Sequence, residues 1–111
     1  MPHITLEYSS SLKNSRDIPA ILSSMHEALS DQGIDIARIK TRGITIDDAV
    51  VGDKGTSGQM MHATLLLLEG RDIPTKKQYG DAIHAVMTDA APEGCAVTLE
   101  IRDMNADTYY L

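Results

Sequence analysis

Residues 61–74, MHATLLLLEGRDIP, restate two earlier pieces of the chain in the same order. His3-Ile4-Thr5-Leu6 returns as His62-Ala63-Thr64-Leu65, and Arg16-Asp17-Ile18-Pro19 returns as Arg71-Asp72-Ile73-Pro74. One such match is a common accident; a three-of-four match and a four-residue identity in the same order mark an internal duplication. The offsets are 59 and 55, so the first copy carries four extra residues, which fall in the polar stretch 9–15.

Each copy reads strand, loop, helix, strand. In the first, Ile4, Leu6 and Tyr8 alternate with His3, Thr5 and Glu7, the period of a half-buried strand. Asp17 is placed to cap a helix whose first turn tolerates Pro19. Ile18, Ile21, Leu22, Met25, Ala28 and Leu29 form its apolar stripe until Gly33 stops it. A second strand is expected from about residue 36 to 46. In the second copy, 61–68 is apolar on both parities, which suggests a central strand covered on both sides. A helix from about Pro74 follows, with Tyr79, Ala82, Ile83, Val86, Met87 and Ala90 inward. It ends before Pro92 and Gly94, and the last strand runs over 95–102 with Cys95, Val97, Leu99 and Ile101 on one face.

Strand-helix-strand units require right-handed crossovers with parallel strands inside each unit. The expected fold is therefore α+β: two pseudo-repeated β-α-β units, about 2–46 and 61–103, forming one domain over 1–111. Its four-stranded mixed sheet carries two helices on one face. The other face keeps apolar groups from 61–68 with no helix to cover them, so it is expected to pack against further subunits. The polar, Gly-rich connection 47–60 is long enough to be functional.

Composition narrows the function classes. The 111 residues hold 10 Lys and Arg against 16 Asp and Glu, a net charge of −6, so phosphate-driven nucleic-acid binding is not expected. One cysteine, Cys95, makes no internal disulfide and lies on an apolar parity as core. The longest aliphatic run, 65–68, is far short of the ~20 residues that span a bilayer, and the first 25 residues do not read as a signal peptide. A cytoplasmic protein without membrane partners is expected. Phe and Trp are absent, so the core is built from aliphatic residues and Met, and subunit contacts are a plausible aid.

Few residues offer chemistry. Pro2 follows the initiator Met; a small second residue favours removal of that Met, which leaves a secondary amine at a strand end. Burial beside cations moves such an amine toward neutrality, where it can take and return a proton. Many chains begin Met-Pro with no catalytic meaning. Arg38, Lys40 and Arg42 share a parity, a ladder suited either to a carboxylate or to a solvated, aggregation-resistant edge. Arg71 leaves a strand and enters a helix, as does its repeat mate Arg16, a setting for an anion or for a structural salt bridge. Gly52, Gly55 and Gly58 lack the Lys-Ser/Thr of a phosphate loop, and the four histidines have no metal-ligand spacing, so no metal site is expected.

The opening Met1-Pro2-His3-Ile4-Thr5-Leu6-Glu7-Tyr8, the Leu68-Glu69-Gly70-Arg71 junction and the duplicated units resemble the tautomerase superfamily, most of all the 5-carboxymethyl-2-hydroxymuconate isomerases. That resemblance implies a homotrimer with sheets packed inward, no cofactor, and three sites, one per chain start. It implies a proton shift in an unsaturated 2-hydroxy or 2-oxo acid, as in the catabolism of aromatic compounds. By position, Pro2 matches the catalytic proline and Arg71 the arginine after Glu-Gly. Lys40 stands where the family has another anion-binding arginine, and Arg42 or Arg38 can take its role. Met61 holds the place of the proline in the second copy. Catalytic Pro2, Lys40 and Arg71, with Arg38, Arg42, His3 and Tyr8 binding the substrate, complete the expectation. Tyr8, Tyr109 and Tyr110 are the candidates for an aromatic wall. The other reading is a non-catalytic trimer on the same scaffold that binds a small molecule or a partner.

Overall fold

A computed structural model describes residues 1–111. The strands are β1 (His3–Ser9), β2 (Lys40–Ile46), β3 (Met60–Leu68) and β4 (Ala96–Met104), with helices α1 (Ile18–Ser30) and α2 (Ile73–Ala90). They form one sheet in the order β2-β1-β3-β4, parallel within each β-α-β unit and antiparallel where β1 meets β3. The central β1–β3 seam has Thr5 opposite Thr64, His3 opposite Leu66 and Glu7 opposite His62. An offset of 59 turns each of these pairs into itself or another of the three, so the duplication seen in the sequence is also a symmetry of the pairing.

The same capping chemistry opens both helices. The Asp17 carboxylate accepts from the Ala20 N–H at 3.1 Å and the Asp72 carboxylate from the Thr75 N–H at 2.9 Å, with a proline in each first turn. Ile18, Ile21, Met25 and Leu29 of α1 and Tyr79, Ile83 and Met87 of α2 are buried against Ile4, Leu6 and Tyr8 of β1 and Met61, Ala63, Leu65 and Leu67 of β3. Cys95 packs against this core, and burial pushes its thiol up, away from thiolate reactivity. Gly80 lets α2 sit close on β4: a Cβ there would lie 3.0 Å from Ile101 Cδ1.

Several expectations are corrected. β2 begins at Lys40, because the Asp35 side chain takes the Ala37 N–H at 3.0 Å and winds Ile36–Arg38 into a 3-10 turn. Arg38 therefore lies off the strand, and the cation ladder is reduced to Lys40 and Arg42. β4 starts one residue later than expected and runs two further. The polar stretch after β1 is also more than an insertion: its 3-10 turn Ser10–Asn14 buries Leu12 completely.

The uncovered sheet face is more polar than expected. Residues 60, 62, 64, 66 and 68 of β3 point that way, so Leu66 and Leu68 share it with His62, Thr64, Thr98 and Glu100. No helix is long and apolar enough to cross a membrane.

Candidate functional site

The start of the chain enters the sheet as the first rung of β1. Pro2 is buried, and its carbonyl accepts from the Lys40 N–H at 3.0 Å, which fixes the chain start against β2. The Met1 amine donates to the Arg38 carbonyl at 2.7 Å, and Lys40 Nζ donates to the same oxygen at 3.0 Å. Burial, then the charges of Lys40, Arg38 and Arg71, hold that amine below the ordinary range of a chain terminus. Arg38 is thus brought back beside Lys40 by its turn although it left the strand.

His3 and Thr5 face the uncovered side next to Lys40 and Arg42 in the parallel register. Arg42 Nη1 approaches His3 Nδ1 at 3.2 Å, and burial with the nearby charges of Arg42, the chain amine and Lys40 keeps His3 below its usual range. Arg71 sits over the Tyr79 ring, 5.8 Å from its centroid, with Nη1 reaching the Leu68 carbonyl at 3.4 Å.

These four cations lack carboxylate partners. The ion pairs of the chain are Lys76–Asp103 and Arg102–Glu100, so Arg38, Lys40, Arg42 and Arg71 are uncompensated in a protein of net charge −6. Uncompensated charge gathered at one end of a sheet is what an anion-binding site requires.

The second copy breaks the symmetry. His62 in β3 corresponds to His3 and bonds Thr98 at 2.7 Å; Glu100 stands where the first copy has Arg42. Arg16, the mate of Arg71, spends Nε on the Ala90 carbonyl at 2.6 Å and Nη1 on the Ser15 carbonyl at 3.0 Å, tying the two units together. Only the first copy's end of the sheet gathers free cations.

Tyr8 leaves the expected set. It faces the helices, is 5% exposed, accepts from the Thr45 hydroxyl at 3.0 Å, and lies six residues beyond Pro2, about 20 Å along the strand. Its role within the chain is core packing. The tyrosine that does reach the site is Tyr109, whose hydroxyl meets His3 Nε2 at 2.8 Å. Tyr109 stood among the candidates for an aromatic wall, but its return to the first strand leaves no local pattern beyond the Asn105-x-Asp107 turn after β4.

The main concavities of the single chain follow α1, the β2 edge and the loops, as in the groove of Leu22, Ser23, His26, Glu27, Ile36 and Thr41. The cation cluster lies on an open face instead.

Two β-α-β units sharing one sheet, with the chain start set among cations on an inner strand, define a member of the tautomerase superfamily. The family model for 5-carboxymethyl-2-hydroxymuconate isomerase matches residues 2–110, and the chain belongs to that family. A 5-carboxymethyl-2-hydroxymuconate Delta-isomerase of Escherichia coli is 26% identical over 84 residues, 75% of this chain and 67% of the relative. The crystal structure of a 5-carboxymethyl-2-hydroxymuconate isomerase from Deinococcus radiodurans R1 superposes with a TM-score of 0.87 at 28% identity, covering 99% of this chain and 87% of the other. A structure described as a fused 4-OT wild-type symmetric trimer shares the fold with a TM-score of 0.74 at 15% identity, over 98% of this chain and 90% of that one.

Proposed function

We propose that the protein is an isomerase that moves a proton within an unsaturated 2-hydroxy or 2-oxo carboxylic acid of the 5-carboxymethyl-2-hydroxymuconate kind, with the Pro2 amine as base. The observation that carries the reading is the chain start set among Lys40, Arg38 and Arg71, with Arg42 against the neighbouring His3, none of them paired with a carboxylate. Removal of Met1 leaves the Pro2 nitrogen as a secondary amine in surroundings that disfavour its protonated form. It takes a proton from the enol oxygen or an allylic carbon and returns it to another carbon of the same molecule. One group does both jobs, so its pKa must lie near the working pH.

Lys40, Arg42 and Arg71, with Arg38 beside them, hold the carboxylates and stabilise the dienolate oxygen as its charge develops. Lys40 acts as a point charge, and the bidentate forks are those of the arginines. The open cation-bearing face and the symmetric-trimer description of a structure with this fold support a homotrimer in which neighbouring subunits wall the site. Action in the cytoplasm, in the breakdown of aromatic compounds, completes the proposal.

The second reading is a non-catalytic trimer on the same scaffold that binds a small molecule or a partner. With Met1 in place the Pro2 nitrogen is an amide, while the cation cluster is intact. Such a chain is a carboxylate-binding protein without a base.

The test is loss of the enol absorbance of 5-carboxymethyl-2-hydroxymuconate with protein whose mass shows Met1 removed. Loss well above the buffer rate is expected. Processed protein that binds the acid but leaves the buffer rate unchanged would establish the non-catalytic reading.

A further inference from the structure

The hydrogen bonds around His3 fix more than its position. A guanidinium can only donate, so at 3.2 Å from Arg42 Nη1 the His3 Nδ1 is an acceptor. The ring is then neutral with its proton on Nε2, and that N–H donates to the Tyr109 hydroxyl oxygen at 2.8 Å. The two rings meet edge to face, centroids 5.9 Å apart at 74°. The phenol's own O–H has no acceptor within the chain.

The segment that delivers Tyr109 is built in place. The Glu69 N–H donates to the Met104 carbonyl at 3.1 Å, and the Glu69 carboxylate accepts from the Ala106 N–H at 3.2 Å. Asn105 caps the short turn Ala106–Thr108 by accepting from the Asp107 N–H at 2.9 Å. Glu69, two residues before Arg71, therefore anchors the segment that follows β4.

We propose that Tyr109 is a positioning residue: its hydroxyl accepts from the Nε2–H of the His3 tautomer that Arg42 selects, keeps the ring in place and so holds the Arg42 guanidinium on the open face where a carboxylate is met. The ligand in this statement rests on the function proposed above. Tyr109 acts through His3 and is not itself a base or a nucleophile.

Imidazole nitrogen NMR of the whole protein reads the tautomer without any ligand, and titration with cis,cis-muconate, an unsaturated dicarboxylate, reads the site. Wild type is expected to show His3 protonated on Nε2 alone. Tyr109→Phe, which keeps the ring and removes the hydroxyl, is expected to shift the His3 Nε2 signal as its acceptor is lost and weaken muconate by about 3- to 10-fold, the effect of one lost hydrogen bond. In an Arg42→Ala background the same change has no further effect on binding. Unaltered His62 and His84 signals report that β3 and α2 are intact. Ala106→Pro, which removes the N–H that Glu69 holds, is expected to act in the same direction without touching the ring. Variants that bind as wild type does, or a His3 Nε2 signal indifferent to both changes, overturn the inference and spare the proposed function. A wild type that binds no dicarboxylate overturns the proposed function and the ligand half of this inference with it.

Discussion

Met1 and Lys40 share one acceptor: the chain amine and Nζ both donate to the Arg38 carbonyl, at 2.7 and 3.0 Å. Burial makes the amine's protonated form costly, and the Lys40 ammonium on the same oxygen, then Arg38 and Arg71, add to the cost.

The pH dependence of turnover follows from that geometry. An amine base works when unprotonated, so kcat/KM is expected to rise with pH through a pKa below the ~8 of an ordinary terminus. Lys40→Ala removes the nearest charge, so the rising limb is expected to move to higher pH. A limb that stays put, or moves lower, means the titrating group is elsewhere.

Arg71 and Arg16 separate by what each guanidinium touches. Arg71→Ala is expected to lower kcat/KM for a dianionic substrate by about 30- to 1000-fold, the loss of roughly 2 to 4 kcal/mol of carboxylate contact. Arg16 is tied to Ala90 and Ser15, so Arg16→Ala is expected to leave kcat/KM within a few-fold and lower Tm by about 4 °C, some 1 kcal/mol. Equal kinetic effects at the two positions mean that repeat symmetry alone accounts for both arginines.

Packing of α2 on β4 is tested at Gly80. A Cβ there meets Ile101 Cδ1 at 3.0 Å and Leu99 Cδ2 at 3.5 Å, so Gly80→Val has no room for its methyls. A loss of about 1 to 3 kcal/mol in urea unfolding is expected. Gly80→Ala, which gains helix propensity while displacing only the end of Ile101, is expected near neutral.

Assembly is tested on the uncovered face. Sedimentation at micromolar concentration is expected to give three times the 12.1 kDa chain mass, and Leu66→Glu to shift it toward the monomer. A wild type that sediments as a single chain would falsify the trimer.

The duplicated segments were enough to write four strands, the Asp17-capped first helix and the second helix, because each is set by local period or local capping, and the crossover rule added the parallel pairs; the Asp72 cap came with the structure. What escaped has non-local or competing causes. The start of β2 moved because Asp35 satisfies a backbone N–H that a strand would have used. Tyr8 belongs to the helix-facing set with Ile4 and Leu6, and that parity was visible; assigning it to the site set the alternation aside. Tyr109 reaches His3 across almost the whole chain length, a contact no periodicity encodes. The cation cluster was legible in part: Lys40 and Arg42 by parity, Arg71 by its junction, while Arg38 arrives through a turn.

The central claim is that a free Pro2 amine is the base, and the most direct measurement compares one protein in two forms. Chains with Met1 retained and with Met1 removed, identified by intact mass, are assayed side by side for loss of the enol form of 5-carboxymethyl-2-hydroxymuconate. The processed form is expected to turn over and the retained form, whose Pro2 nitrogen is an amide, to fall to the buffer rate. Equal turnover by the two forms contradicts the amine mechanism.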